Sequence, residues 1–294
     1  MDSVAQAVSA VAAAVAPGSS ELCSSLAHPS MFTLVVSVGL TVGVVVSYLP
    51  QHLRIIARGT AEGLSGWFLM LGVMSGSCAV VNIVLLSADV LGCCSVLSGG
   101  LCIAAAMGVI QVVLQAALFA LVLVLFLMYY PRTGAQKYNE AVVASAVAGV
   151  HFFATAATGL YVHAIARGRP ESTAVETYAG LLGLEGAAIT MIQYFPQIFT
   201  TLRLRSAGSL SMYTLIMQSP GGFLWAYSLA AREGTAWSSW MPYFVAAVMQ
   251  SVLLVICIVY AVRDRRERVV YIPIDEDAED EAPVGMFDDQ SDEY

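Results

Sequence analysis

Apolar runs of about 20 residues, separated by short polar stretches, recur along the chain from Met31 to Val262. A helix of this length crosses the hydrocarbon core of a bilayer. The pattern therefore predicts an all-α membrane protein with seven transmembrane helices. The predicted spans are Met31–Leu49, Trp67–Leu86, Ile103–Tyr129, Val142–Ala164, Thr177–Phe199, Met212–Ala230 and Pro242–Val262.

One sequence unit occurs twice. The stretch Tyr48-Leu-Pro-Gln51 ends the first span, and Tyr194-Phe-Pro-Gln197 ends the fifth. Each is followed by a short basic stretch, a Leu-Ser pair and another apolar run. Identity at one fixed offset is the signature of an internal repeat. At an offset of 146 residues the identical positions of the first copy are Tyr48, Pro50, Gln51, Ala61, Leu64, Ser65, Leu69 and Gly76.

The repeat predicts how the seven spans are grouped. A three-helix unit crosses the membrane an odd number of times, so two copies in the same orientation need one extra span between them. The fourth span has no counterpart at this offset and is the natural linker. We therefore expect two parallel three-helix bundles, the arrangement of one class of transporters. The predicted segments are an N-terminal segment (1–30), the first repeat (31–130), the linker helix (131–170), the second repeat (171–262) and a cytosolic tail (263–294).

The Pro-Gln pairs are candidate hinges. Proline removes a backbone donor inside a helix, and the carbonyl group that it frees needs a partner within the lipid. The neighbouring glutamine amide is such a partner, so Pro50-Gln51 and Pro196-Gln197 predict bends that stay hydrogen-bonded. The alternative is that Pro-Gln merely ends a helix, and the doubled occurrence makes it the weaker one. Pro220-Gly221-Gly222 predicts a kink in the sixth span, with close packing through small residues as an equal alternative.

Charge fixes the expected orientation. With the N-terminus outside the cytosol, ten Lys and Arg residues fall on the cytosolic side and three on the other, the bias that the positive-inside rule describes. The net charge of −8 comes from the tail, because ten of the 21 acidic residues lie between 275 and 293. The remaining body is nearly neutral, which gives no indication of a nucleic-acid partner.

Glu185 is the carboxylate predicted to lie well within a span. Ionisable groups there are costly and are functional candidates, and a desolvated carboxyl group can carry a proton. Glu185 shares a helical stripe with Ile189, Gln193 and Gln197. We expect this stripe to face the equivalent stripe of the first unit across the repeat axis, which is Gly39, Gly43, Ser47 and Gln51. The alternative is a structural hydrogen bond between packed helices. The candidate proton and substrate site is Glu185, Gln193, Asn82, Tyr48 and Tyr194.

Other chemistry is sparse. The chain shows no phosphate-binding loop, catalytic triad or metal-ligand spacing, so we predict no enzyme, metal or cofactor. His151 is expected to be a packed core residue. One disulfide among Cys93, Cys94 and Cys102 fits an oxidising lumen. In the tail, Tyr271-Ile-Pro-Ile274 resembles the tyrosine signal that clathrin adaptors bind, a short pattern that also arises by chance.

The doubled motif with seven spans resembles the PQ-loop repeat family, which includes cystinosin and the vacuolar or lysosomal exporters of basic amino acids. SWEET sugar transporters and KDEL receptors share the fold, and the stretch from Tyr48 to Trp67 is similar to uncharacterised PQ-loop proteins of filamentous fungi. The resemblance implies alternating access by rocking at the two Pro-Gln pairs. Cystinosin-like members carry an aspartate near the second motif, where this chain has Arg203 and Arg205.

We therefore expect a proton-coupled transporter that moves a small polar solute, such as an amino acid, out of an acidic organelle. Its expected partners are the lipid bilayer, the solute, protons and a clathrin adaptor, and its expected location is the vacuolar, lysosomal or another endomembrane. The alternatives are a SWEET-like facilitator, or a sorting receptor or scaffold on the same fold. A receptor for a peptide carboxylate needs a basic pocket, and the sequence places no Arg or Lys within a span.

Overall fold

The computed structural model describes residues 20–59, 61, 65–129, 135–167, 173–205, 212–232 and 235–270. Within these residues the chain is helical, with one short 3-10 turn at Cys93–Ser95. The helices, in chain order, are α1 (Ser20–Leu26), α2 (Met31–Arg58), α3 (Gly66–Leu86), α4 (Ala88–Gly92), α5 (Gly99–Ala105), α6 (Met107–Tyr129), α7 (Ala135–Arg167), α8 (Ala174–Leu204), α9 (Met212–Ala230) and α10 (Trp237–Val270).

Long helices occupy all seven predicted spans. Among the described residues, five of them are long and apolar enough to cross a membrane, namely α2, α3, α6, α7 and α10. The other two, α8 with 31 residues and α9 with 19, are long enough but more polar. The prediction of apolar membrane-spanning helices is therefore confirmed for five spans, and the full seven-span arrangement stays a prediction.

Several helices extend beyond the ends of their predicted spans. Helix α2 continues past Leu49 to Arg58 and ends at Gly59, whose φ of 61° is a left-handed conformation that glycine adopts without strain. Helix α10 continues through the basic stretch to Val270. Helices can extend beyond the hydrocarbon core because their backbone hydrogen bonds do not depend on lipid. The proposed sorting signal, Tyr271 to Ile274, lies outside the described residues.

The two repeats pack their helices in the same order. In the first bundle α6 contacts both α2 and α3, and in the second α10 contacts both α8 and α9. The third helix of each unit thus lies between the other two. The linker helix α7 packs mainly on α3 and less on α8. The two units thus share one packing order as well as sequence identities.

Two seams join the bundles, one between α3 and α8 and the other between α2 and α9. These seams are equivalent under the repeat, but α3 packs extensively on α8 whereas α2 and α9 meet at few residues. The α3–α8 seam also contains polar links, because the Ser75 hydroxyl donates to the Gly186 carbonyl at 3.1 Å and lies 3.0 Å from the Thr190 hydroxyl. The two bundles are therefore fastened on one side.

Two disulfides stabilise the face where α2, α6, α8 and α10 begin, which we call the N-terminal face. Cys23 of α1 is bonded to Cys93, and Cys94 is bonded to Cys102 of α5. The expectation of a single bond among Cys93, Cys94 and Cys102 was incomplete, because Cys23 precedes the first span and has no sequence signal linking it to this loop. The bond to Cys93 attaches the N-terminal segment to the first repeat.

Candidate functional site

The tyrosines of the two repeated motifs lie in one central aromatic row. Tyr48 contacts Phe119 at a ring-centroid distance of 6.3 Å, Phe119 contacts Phe68 at 6.4 Å, and Phe68 contacts Tyr194 at 6.4 Å. The row crosses from α2 through α6 and α3 to α8. Both motif tyrosines therefore lie where the two bundles meet, and their role in a site stays a prediction.

Polar groups surround this row. The Gln250 amide donates to the Tyr194 hydroxyl at 2.7 Å. The Gln115 amide lies beside the Tyr48 hydroxyl, and the hydroxyl of Tyr243 is close enough to Tyr48 to interact electrostatically. We call Tyr48, Gln115, Tyr194, Tyr243 and Gln250 the central cluster.

Two buried polar atoms, one within the central cluster and one beside it, lack a partner among the described residues. They are Oε1 of Gln115 and Nε1 of Trp225, whose ring lies 5.9 Å from that of Tyr243. A buried polar atom without a hydrogen bond costs about 1–3 kcal/mol. Both atoms are buried in this conformation, so another molecule could reach them only if the surrounding helices moved apart.

The Pro-Gln pairs lie inside continuous helices. Pro50 is within α2, and the backbone of the second pair is within α8, whereas the side chains of Pro196 and Gln197 lie outside the described residues. Proline thus does not end either helix. However, among the described contacts, the Gln51 amide makes no hydrogen bond to the Val46 carbonyl, the group that Pro50 frees. The expected pairing of that carbonyl with Gln51 was wrong in this conformation.

Glu185 lies on a different face from the one predicted. Its Oε1 is 3.0 Å from Nε2 of His151 on the linker helix. Ile189, on the same stripe, is buried against α3, and the Gln193 amide donates to the Phe68 carbonyl at 3.1 Å. Opposite, the surroundings of Gly39 are open. The two stripes do not face each other, so Glu185 belongs to a site among α3, α7 and α8.

Ser77 of α3 also contacts His151. Its hydroxyl donates to the Met74 carbonyl at 2.7 Å, and its oxygen lies 2.9 Å from Nδ1 of His151. Nε2 of His151 then faces the Glu185 carboxyl group. Two lone pairs cannot share a contact of 3.0 Å without a proton between them. The contact of His151 with Glu185 is therefore a hydrogen bond, and His151, which was expected to be a packed core residue, links α7 to α3 and α8 through polar contacts.

A thiol completes a group of three donors. Sγ of Cys78 lies 3.9 Å from Nε2 of His151, and the ligand atoms of Cys78, His151 and Glu185 are within 4.8 Å of one another. Thiol, imidazole and carboxyl donors are a set that zinc can bind. The hydrogen bond between imidazole and carboxyl group already accounts for the short distance between these two side chains. Sequence spacing could not predict the group of three, because the donors come from three helices.

Asn82 has a structural environment. Its amide donates to the Ala179 carbonyl at 2.7 Å and to the Ser238 hydroxyl at 2.9 Å, and its oxygen accepts from Ser239 at 2.7 Å. The side chain is fully buried. These bonds join α3 to α8 and α10 at the N-terminal face. In this conformation Asn82 is occupied by protein partners and is not available to a solute.

The predicted kink lies within a continuous helix. Pro220 is inside α9, and a Cβ on Gly222 would lie 2.9 Å from Cβ of Ala247 on α10. The equivalent Gly76 has its nearest neighbour, Ala116, on α6 at 3.5 Å. In both bundles, a glycine at the same repeat position thus lets the second helix pack closely on the third. This favours the small-residue alternative for Gly222, while the surroundings of Gly221 are open.

One basic side chain reaches the interior from a loop. Nη2 of Arg232, which follows α9, donates to the Ser37 hydroxyl at 2.9 Å and approaches Oε1 of Gln111 at 3.4 Å. Both of these residues are buried in the first bundle. Burial lowers the pKa of the Arg232 guanidinium from its ordinary value. Arg232 follows the sixth predicted span in sequence, so it was not among the charges predicted within spans, but its long side chain extends into the first bundle.

Comparison with known proteins gives two findings. The family model described as PQ loop repeat matches residues 32–92 and 178–237. Each match begins in the first helix of a repeat and covers the second. An uncharacterised protein of Schizosaccharomyces pombe is 31% identical over 259 residues, which is 80% of this chain and 83% of that relative.

Proposed function

Because the chain belongs to the PQ-loop repeat family, whose members are in general membrane transporters and not enzymes, we propose that it transports a small polar solute. It is a multi-pass membrane protein. We propose seven spans, an N-terminal face towards the lumen of an acidic organelle, such as a vacuole or lysosome, and a cytosolic tail. The ten-to-three distribution of basic residues and the disulfides at the N-terminal face support this orientation.

The observation that carries the proposal is the central cluster between two bundles of the same helix order. Transporters built from repeats bind their solute where the repeats meet. Here the motif tyrosines, Tyr48 and Tyr194, lie on opposite bundles and are joined through aromatic rings. The unpartnered atoms of Gln115 and Trp225 supply hydrogen-bonding capacity for a polar solute such as an amino acid. Rocking of the bundles at Pro50 and Pro196 would open this centre to each face in turn.

Proton coupling in this proposal acts through Glu185. The carboxyl group is hydrogen-bonded to His151 of α7 and is partly exposed. A change in the charge of the carboxyl group would change this bond, which joins α7 to α8. Protonation is thereby connected to the seam where α3 and α8 meet, and the proton gradient of an acidic organelle would drive rotation of the bundles about that seam.

The test is uptake into proteoliposomes with an imposed pH gradient. A panel of labelled amino acids and sugars would identify the solute class. We expect saturable, gradient-driven uptake by wild type and its loss in Glu185→Gln and in His151→Gln. His163→Gln is the matched control, because it changes a second histidine on the same linker helix. We expect it to transport as wild type does.

Other outcomes distinguish the alternatives. Uptake that ignores both the gradient and Glu185→Gln would identify a SWEET-like facilitator. Gln197→Ala tests the second motif, since a scaffold that recruits adaptors through its tail would retain its localisation and partners. No uptake of any compound by folded protein would contradict transport.

A cargo receptor is the second candidate function, and one observation favours it. A receptor of this kind needs a basic pocket, and the sequence places no Arg or Lys within a span. The Arg232 guanidinium nevertheless reaches buried residues of the first bundle. A receptor of this kind would retain peptide cargo through its carboxylate without transporting a solute. Binding of a peptide by protein that takes up none of the tested solutes would support it.

A further inference from the structure

The cradle around Arg232 is fixed by neighbours on both bundles. The Gln111 amide donates to the backbone carbonyl of Ser37 at 2.7 Å, which orients its oxygen towards Arg232. The backbone N–H of Arg232 donates to the Leu229 carbonyl, and its own carbonyl accepts from Thr235, so the turn that carries the side chain is also held. The guanidinium thus has a defined position between α2 and α6.

The cradle contains no negative charge among the described residues. Ser37 and Gln111 are neutral, and the described ion pair is elsewhere, between His151 and Glu185. Nε of Arg232 is buried and has no hydrogen-bond partner in the described part of the chain. Buried charges in proteins are normally paired, because removing a charge from water is costly. Nη2 contacts only neutral groups and Nε has no partner, so the guanidinium lacks an anion among the described residues.

The flat guanidinium of Arg232 packs against the backbone of α6. A Cβ on Gly108 of α6 would lie 3.2–3.5 Å from Nε, Cδ and Cζ of Arg232, so glycine lets the guanidinium lie against the helix backbone. Arginine presents its N–H groups as a planar fork that matches carboxylate and phosphate. The side chain is partly exposed, and a small outward shift of its flexible stem would bring Nε and Nη2 to one ligand.

We propose that Arg232, with Ser37 and Gln111, binds the anionic group, a carboxylate or a phosphate, of a ligand that arrives at the N-terminal face. If the ligand is the transported solute, the inference rests on the proposed function and assigns the solute to the anionic or zwitterionic class. The same chemistry is present in the headgroup of an acidic lipid. Because Arg232 bridges the two bundles, an anion that draws it away from Ser37 would also weaken their contact at this face.

Binding can be measured without transport. Purified full-length protein in nanodiscs of neutral lipid would be titrated with acetate and with inorganic phosphate at constant ionic strength, and acetamide would serve as the neutral analogue of acetate. Ligand-observed NMR detects such weak binding. We expect acetate and phosphate to bind and acetamide not to bind. Arg232→Gln should weaken anion binding at least about tenfold, the loss of one charge-assisted contact of about 1.4 kcal/mol, and Arg232→Lys should weaken it less. Arg203→Gln, which removes an exposed arginine on α8, is the control and should bind as wild type does.

A second measurement uses the wild-type protein, in case Arg232 variants do not fold. Phenylglyoxal modifies accessible guanidinium groups, and peptide mass spectrometry reports each position. Acetate or phosphate should protect Arg232 several-fold and leave Arg203 unprotected. Equal modification of Arg232 with and without anion would overturn the proposal.

The remaining arms separate the sources of the anion. A lipid headgroup would be identified by two results. Wild type but not Arg232→Gln would retain an acidic phospholipid, and wild type in nanodiscs of acidic lipid would no longer bind acetate. Uptake of carboxylate solutes that fails in Arg232→Gln would identify the solute instead, and binding without uptake of any solute would contradict only transport. Glu233 lies outside the described residues. If anions bind only to Glu233→Gln, the neighbouring carboxylate is the natural partner and the proposal is wrong.

Discussion

The two disulfides should stabilise the protein unequally, because they close loops of different length. Cys23 and Cys93 are 70 residues apart in sequence, whereas Cys94 and Cys102 are 8 residues apart. A cross-link restricts the unfolded chain more as the loop that it closes grows. The chain-entropy relation gives about 4.4 kcal/mol for the long loop and about 2.5 kcal/mol for the short one. Removing the long-range bond should therefore lower the free energy of unfolding by roughly 2 kcal/mol more.

The assay compares two double variants in the same detergent. Cys23→Ser with Cys93→Ser removes the long-range bond, and Cys94→Ser with Cys102→Ser removes the short one. Unfolding by denaturant reports the free energy of each. Cys257→Ala is the control, because this buried cysteine is free and its replacement changes packing without breaking a cross-link.

Thiol counting provides the refuting result. Denatured, unreduced wild type should react with a maleimide at two positions, Cys78 and Cys257. Six reactive thiols, or equal stability of the two double variants, would refute the reasoning. Since disulfides persist in oxidising compartments, six thiols in freshly isolated protein would also contradict a lumenal N-terminal face.

Three further predictions concern packing and the central cluster. Gly183→Ala should destabilise the protein by about 1–3 kcal/mol, because the added Cβ would lie 2.6–2.8 Å from side-chain and backbone atoms of Ser238. Gly39→Ala is the control, because its Cβ would meet nothing within 4 Å. Equal melting temperatures of the two variants would contradict the packing of α8 on α10. Asn82→Leu should cost several kcal/mol in denaturant unfolding, since it leaves three buried groups without partners, and unchanged stability would show that these bonds do not form. Tyr194→Phe should raise KM for the transported solute with little change in melting temperature, because the Gln250 amide loses its acceptor while the ring contacts remain; an unchanged KM would place the solute elsewhere.

The helices and their grouping could be predicted from sequence because both signals are local or periodic. Apolar run length located the long helices, and the offset of 146 residues identified the two units. The same offset predicted that Tyr48 and Tyr194 occupy equivalent places, and the structure brings them into one aromatic row. Helix ends were less predictable, because the lipid boundary limits apolar composition but not backbone hydrogen bonding.

The partners of polar side chains could not be predicted in the same way. Glu185 of α8 contacts His151 of the linker helix α7. Because α7 has no counterpart in the repeat, the 146-residue offset could not predict this contact. A wheel diagram shows which residues share a stripe, but it does not show which neighbour that stripe faces. Arg232 reaches the first bundle across 195 positions of sequence from Ser37, and no local pattern marks such a contact.

The unequal seams between the bundles determine how far each part of the molecule can travel. With α3 fastened to α8 by Ser75 and Thr190, and α2 only lightly against α9, the least costly relative motion is rotation about an axis near the α3–α8 seam. Displacement in a rotation grows with distance from the axis. The far seam lies roughly two helix diameters, about 20 Å, away, so a turn of about 10° would separate α2 from α9 by some 3–4 Å while atoms at the near seam scarcely move. A passage formed in this way would be wedge-shaped and would open sideways between α2 and α9.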